Sequence, residues 1–486
     1  MTGGIPRELE SSREGGQAEL ETDRRSGSER AGEDDGGSDN ARSRRSVLAI
    51  LASGTAGLTG CFGVGSGGES QRPTPLETEL TGTPTSTSGT HSNSRTGRRS
   101  PTPTPTLTPV PSRDHYVYVG HDELKAVAER VRDGRKPWVN AYTRAIRDAD
   151  EALEMEARSV VDDGAPNWDD PHRFGKDENR HDYHAAIDMT TAVRDTALAY
   201  WFTGQDEYAE RAIDLLYHWC HDPETRMKPD GNMADNNTGI ELFVTIPKLW
   251  YGAAFLDGHP YWTEKTGDDL EATFADWVGS FVSSIPAPKY YQYNNIWAWR
   301  IATLASAASY LDDQSRLEKA FCMWRGKCET VAHDKERPRP WSQYRPSLSG
   351  KGYLKRELAR EDGFGYHVYG MKALTMTAEV ARQHDVDLYG YNAPTDPGDG
   401  STLRKLFEFM SPYMKLPSRW QWGKGSDSVT NFEMKTYASV FEIAHSLWES
   451  PEYLDVVRSA GRPTYDIRHL GWTSLTHANR FDLSDG

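Results

Sequence analysis

Lys355-Arg-Glu-Leu-Ala-Arg360, then Glu-Asp-Gly-Phe-Gly365, then Tyr366-His-Val-Tyr-Gly-Met371 form one continuous stretch, with Arg360 and Tyr366 six residues apart across a loop that contains Gly363 and Gly365. The apolar spacing of Val368, Met371, Leu374 and Met376 predicts a helix starting at this point. A guanidinium held beside a phenol at a helix entrance favours the phenolate, through its own charge and through the helix dipole. A phenolate so placed can take a proton from carbon; a buried tyrosine bonded to an arginine for structural reasons uses the same two residues.

A second set lies upstream. Tyr290-Tyr-Gln-Tyr293-Asn294-Asn295 precedes a helix predicted to begin near Trp297. Two adjacent amides at a helix start can donate to a carboxylate, and an ordinary N-cap followed by a polar neighbour gives the same pattern. Between Lys335 and Arg360 stand eight basic residues, Arg345, Lys351, Lys355 and Arg356 among them, opposed by Glu336 and Glu357 alone. In a chain of net charge −16 such a strip predicts a groove for an acidic polymer, the alternative being a solvated surface loop. Trp341, Tyr344 and Tyr353 interleave with the cations and suit stacking on sugar rings. The candidate substrate-binding residues are therefore Tyr293, Asn294, Trp341, Tyr344, Arg345, Lys355 and Arg356.

These residues need a scaffold, and the periodicity supplies a helical one. Patterns of 3.6 residues cover His121 to Arg132, Lys136 to Arg158, Tyr183 to Phe202, Asp206 to Cys220, Ile240 to Leu256 and Trp262 to Ser284. They resume over Trp297 to Leu311, Gln314 to Ala332, Tyr366 to His384, Leu403 to Pro412 and Phe432 to Glu449, with little strand-like alternation before the tail. A dozen helices of about four turns joined as hairpins predict an all-α toroid or solenoid rather than a four-helix bundle. The longer polar and aromatic loops at 162–181, 223–239, 286–295 and 338–365 then gather at one rim, where function resides.

The ends of the chain read differently. Residues 1 to about 40 carry almost no apolar side chain and are predicted to be disordered. Ser43-Arg-Arg-Ser-Val-Leu48 is a twin-arginine signal followed by an apolar run, Val47 to Leu58, too short to span a bilayer. Leu58-Thr-Gly-Cys61 reads as a lipobox, with cleavage before Cys61 and a lipid on its sulfur. Residues 62–112 are rich in Ser, Thr, Pro and Gly and predict a tether. The expected organisation is arm and signal over 1–61, linker over 62–112 and a toroid domain over 113–486, exported, lipid-anchored to the membrane and monomeric. An excess of Asp and Glu, 72 against 56 Lys and Arg, argues against nucleic-acid binding and suits a halophilic source. Cys220, Cys322 and Cys328 are predicted to be buried thiols, and no metal-ligand spacing occurs.

Tyr183-His-Ala-Ala186, followed by the segment from Ala192-Val-Arg-Asp to Ala-Ile-Asp-Leu-Leu216, resembles the repeat helix pair of the alginate lyase domain family, the polysaccharide lyase family 5 type. Thr225-Arg-Met227, Asn294-Asn295, Glu357-Leu-Ala-Arg360, Tyr366, Ala373-Leu374, Val386-Asp-Leu388 and Ser401-Thr-Leu-Arg-Lys405 are similar to its further landmarks, in the same order. The resemblance runs from about Asp182 to Pro412. It implies an (α/α) toroid, an incomplete α/α barrel, that acts without a cofactor on 4-linked uronates by β-elimination, with alginate the usual substrate. It also implies that Asn295 and Arg360 hold the uronate carboxylate, and that Tyr366 serves as base and then as acid.

One position departs from the family. The histidine that follows the Asn pair there is Ile296 here. Either another residue substitutes (His367, His184 or His172), or only the epimer that Tyr366 can serve is cleaved, or catalysis is lost. Tyr369, one turn from Tyr366, is an alternative phenol. Two rival readings follow: a glycoside hydrolase on the same toroid, with Glu357, Glu361, Asp362 or Asp182 as its carboxylates, and a surface protein that binds acidic polysaccharide without cleaving it.

Overall fold

A short hairpin of β1 (His115–Tyr116) and β2 (Val119–Gly120) leads into a succession of helices. The structure is a computed structural model, and it describes residues 113–161, 181–232, 236–285, 294–326, 348–358, 360–393, 400–425 and 434–478. Cys61, Cys328 and the segments 1–61 and 62–112 lie outside the described residues. The first helices are α1 (His121–Arg132), α2 (Trp138–Leu153), α3 (His181–Thr203), α4 (Asp206–Cys220), α5 (Asn236–Thr245), α6 (Pro247–Ala253), α7 (Tyr261–Glu264) and α8 (Leu270–Ser283). Then come α9 (Asn295–Tyr310), α10 (Gln314–Arg325), α11 (Lys355–Leu358), α12 (Gly363–Gln383), α13 (Leu403–Lys415), α14 (Met434–Tyr437), α15 (Ser439–Trp448), α16 (Pro451–Ser459) and α17 (Thr473–Thr476).

Two kinds of helix alternate. In α2 the buried residues Trp138, Ala141, Tyr142, Ala145, Ile146 and Ala149 recur at three and four positions, so one stripe faces inward and the rest meets water. α1, α4, α8, α10 and α13 follow the same pattern. In α6, α9 and α12 nearly every residue is buried, which requires neighbours on all sides. α3 packs on α2, α4 and α6, and α9 packs on α12, α10, α5 and α6, giving an inner layer wrapped by an outer one. At one end of the α9–α12 pair Asn295 approaches Gly370, and at the other His384 Nε2 lies 2.9 Å from Ser309 Oγ. These two inner helices therefore run parallel. The arrangement is a two-layer α/α toroid, one of the two architectures, toroid or solenoid, that the periodicity predicts.

Several predicted helices break where local chemistry requires it. Ile240 to Leu256 divides at Pro247, which has no N–H to give. Trp262 to Ser284 stops before Gly267 and restarts at Asp269, whose side chain accepts from the Ala272 N–H. Gln314 to Ala332 ends at Gly326, in the left-handed region at φ 70°. Cys220 is buried as expected, but Cys322 is only half-buried, on the outer helix α10. The tail does not form strands; among its described residues there are α15, α16 and α17, with a single bridge between Asp466 and Gly471.

Deeply buried polar and charged groups gather at that bridged turn. Lys372 Nζ lies 2.6 Å from Asp466 Oδ2, with both side chains at 1% exposure or less. Arg194 clamps Asp195 through Nε at 2.7 Å and Nη2 at 3.0 Å, while its Nη1 donates to the carbonyls of Asp466 and His469. Lys248 Nζ donates to Thr191 Oγ1 at 2.7 Å and to the Ile467 carbonyl at 2.9 Å. Burial alone would raise the Asp466 carboxyl; Lys372 beside it holds it below the ordinary carboxylate range. Removing one member leaves an uncompensated buried charge. Asp466→Ala should therefore cost about 3–5 kcal/mol in denaturant titrations, and pairing Asp466→Leu with Lys372→Met should recover most of it.

Candidate active site

Three helix starts meet at one place. Asn294 caps α9, its side-chain oxygen accepting from the Ile296 N–H at 3.0 Å. Asn295, 3% exposed, follows it into the first turn. The Asn295 backbone N–H donates to Glu357 Oε1 at 2.8 Å, and its Nδ2 donates to the same oxygen at 3.0 Å. The other carboxylate oxygen, Oε2, accepts from Arg360 Nη1 at 3.0 Å. The Arg360 guanidinium then lies over the face of the Tyr366 ring, with Cζ 3.4 Å from the centroid. A cation on an aromatic face is worth about 0.5–2 kcal/mol. The three residues named as catalytic from the sequence are thus joined through a fourth, Glu357, which is wholly buried.

Local sequence makes this approach feasible. Gly370 stands one turn beyond Tyr366 on α12, and a Cβ there would come within 2.8 Å of Leu354 and 3.7 Å of the Asn295 Cβ. On the far side Gly423, at φ 61°, presses against the Arg360 carbonyl so closely that a Cβ would overlap it. Lys424 completes that buttress, donating its N–H to the Glu361 carbonyl at 3.1 Å and pairing with the Glu361 carboxylate at 2.8 Å.

The geometry refines one electrostatic expectation. The sequence predicts an arginine beside the phenol whose charge favours the phenolate. The guanidinium instead rests on the ring face and shares its charge with Glu357, so the phenol meets a nearly neutral pair. Glu357 spends both oxygens on Asn295 and Arg360, which also removes it as a hydrolase acid. Its i,i+3 spacing from Arg360 was the available signal for this ion pair. Of the substrate-binding candidates, Lys355 is exposed and Arg356 half-buried on α11. Tyr293, Trp341, Tyr344, Arg345 and His172 lie outside the described residues. His184 is exposed at the start of α3, Ile296 is buried, and Tyr369 packs against Trp299 with ring centroids 5.0 Å apart. Among the described residues no group of His, Cys, Asp and Glu is arranged to hold a metal ion.

Residues 121–420, more than half of the chain, match the family described as Alginate lyase. An alginate lyase from Bacteroides ovatus superposes with a TM-score of 0.58 at 18% identity, over 76% of this chain and 100% of that one. Alginate lyase A1-III, from Sphingomonas species A1, in a tyrosine-to-phenylalanine variant complexed with tetrasaccharide, gives a TM-score of 0.52 at 15% identity, over 76% and 97%. At these identities the likeness is one of fold. No curated protein matches by sequence comparison.

His367 fails as a substitute for the histidine missing at position 296. Its Nδ1–H donates to the Gly363 carbonyl at 2.8 Å, and its Nε2 accepts the Leu354 N–H at 2.9 Å, so both nitrogens are taken. Burial pushes its pKa down to about 4, and likewise pushes His221 and His384 to about 4 and His469 to about 3. Each group binds its proton near pH 6.5 when unfolded but only near 3–4 when folded. Their stabilisation is full above pH 6.5 and is lost as pH falls through that window, with a slope of up to about 1.4 kcal/mol per pH unit for each group. Thermal melts at fixed salt should show stability falling between pH 6.5 and 4, and His367→Gln should flatten part of that slope.

Proposed function

The chain belongs to the alginate lyase family, and from that premise we propose that it cleaves a 4-linked uronate polymer by β-elimination at Asn295, Arg360 and Tyr366. The polysaccharide lyase activity goes with the family; the substrate and the residue roles are our reading. The observation that carries it is the hydrogen-bonded chain from the Asn295 amide through Glu357 and Arg360 to the face of the Tyr366 ring.

The chemistry has three requirements. The uronate carboxylate must be stabilised so that the hydrogen on C5 becomes acidic, and the N–H groups of Asn295 and Arg360 supply directed donors for it. The Tyr366 oxygen removes the C5 proton. As the C4–O4 bond breaks, the same oxygen returns a proton to O4, leaving a C4=C5 double bond without consuming water. With Ile296 in place of a histidine, a single phenol performs both transfers. The preferred substrate is then the epimer whose C5 hydrogen and O4 lie on the same face of the ring.

Flanking sugars in this reading meet Asn294, Lys355 and Arg356, together with Tyr293, Trp341, Tyr344 and Arg345. The order of twin arginine, short apolar run and Leu58-Thr-Gly-Cys61 supports export and a lipid anchor on Cys61, with 62–112 as a tether and 113–486 as a monomeric catalytic domain.

Mannuronate-rich, guluronate-rich and glucuronate polymers, offered in high salt, test the reading through the ultraviolet absorbance of the unsaturated product. Tyr366→Phe should lower kcat by about 10³-fold or more while substrate binding stays within about threefold. Arg360→Ala should lower kcat/KM by roughly 10²–10³-fold. An unsaturated product formed at the wild-type rate by Tyr366→Phe would move the base elsewhere.

A further inference from the structure

We propose that Glu357 is the positioning residue of this site: it aims the Asn295 and Arg360 donors at the uronate carboxylate and cancels the net charge that would otherwise bind the ground state too well. The inference rests on the lyase reading above. Glu357 is wholly buried, yet it lies between two groups that the elimination needs. A buried carboxylate is costly unless every lone pair finds a donor. Here Oε1 accepts twice from Asn295 and Oε2 accepts from Arg360.

An ionised carboxylate can only accept, and this decides how its neighbours stand. The Asn295 side chain must turn its NH2 rather than its carbonyl toward Glu357, which leaves the second N–H of that group to point onward. Arg360 gives Nη1 to Glu357 and sets its Cζ 3.4 Å from the centre of the Tyr366 ring, so the guanidinium is held at two points. Held in this way, the fork keeps its remaining N–H groups for a substrate carboxylate. Ile296, buried at the next position, contributes no donor, so the site depends on these two.

Charge makes the second half of the argument. Arg360 paired with Glu357 carries no net charge, so an incoming uronate meets directed dipoles rather than a free cation. Such donors gain most when the carboxylate takes up extra negative charge as C5 loses its proton. A glutamine would still cap α9 through Oε1, but it would present an N–H or a weaker acceptor to Arg360 and would leave the site with one positive charge.

The test measures kcat and KM for wild type, Glu357→Gln and Glu357→Asp on the uronate polymer the wild type cleaves, with circular dichroism and thermal melts as the check on folding. For Glu357→Gln the expected result is a folded protein whose kcat is lower by about 10–100-fold while KM is unchanged or lower. Glu357→Asp keeps the charge and both acceptors, so it should recover part of kcat and return KM toward the wild-type value. A purely structural carboxylate would lower the melting temperature and leave kcat per folded molecule within about twofold of wild type, and that outcome overturns the proposal. Loss of the folded state in both variants overturns it too, by assigning the carboxylate to stability alone. A wild type that forms no unsaturated product on any uronate polymer overturns the lyase reading itself, a failure visible in the wild-type arm before any variant is made.

Discussion

A carboxylate removed from water must be surrounded by donors, and at Glu357 the donors available are the start of one inner helix and the arginine that leads into another. That requirement links parts of the chain that are 62 residues apart, Asn295 and Glu357, and fixes where α9 and α12 begin relative to each other. Tyr366 then falls in the first turn of α12, under the guanidinium that Glu357 holds. The site is less a pocket into which residues project than a junction of helix ends held by one shared acceptor.

The toroid makes such a junction possible. α9 and α12 run parallel in the inner layer, so both N-termini reach the same end of the molecule, and the chain returns between them through α10 on the outside. Parallel neighbours bring two positive helix ends to one rim, which suits an anionic substrate there. Helices buried on all faces fix that rim firmly: Trp299 is fully buried against Tyr369, and the Trp324 indole donates to the Leu374 carbonyl at 3.1 Å. Aromatic packing of Phe364, His367 and Trp420 closes the same end from outside.

Much of this could be read before any coordinates. The 3.6 periodicity of α1 and α4 gave their bounds to the residue, because a half-exposed helix writes its stripe into the sequence. Other periodic runs extend past their true ends, because periodicity does not show where a local break falls: Pro247 divides the buried run of α5 and α6, Asp269 caps the start of α8, and Gly326 stops α10. α16 and α17 went unpredicted, being short segments that only the surrounding structure makes helical. At the site, Asn295, Arg360 and Tyr366 were legible from residue type and order. Glu357 was seen only as a motif member and a rival acid. A carboxylate's part depends on which donors the fold brings to it from far along the chain, and spacing shows only the local one. The position of the guanidinium, on the ring face rather than beside the hydroxyl, was equally invisible, because it depends on how the loop buttressed by Gly423 seats the Arg360 backbone.

The turn at 466–471 has a bearing on how the molecule comes into being. Arg194 and Lys248 belong to the inner layer, and carbonyls of residues 466, 467 and 469 are among their acceptors. A ribosome delivers those carbonyls more than two hundred residues after the donors they satisfy. Until they are in place the Arg194–Asp195 pair and the Lys248 amine lack part of their buried hydrogen bonding, so the ring cannot settle fully one helix pair at a time. Closure waits for the segment that holds residues 466–469, and a chain cut before that segment is a ring without a keystone rather than a ring missing an ornament.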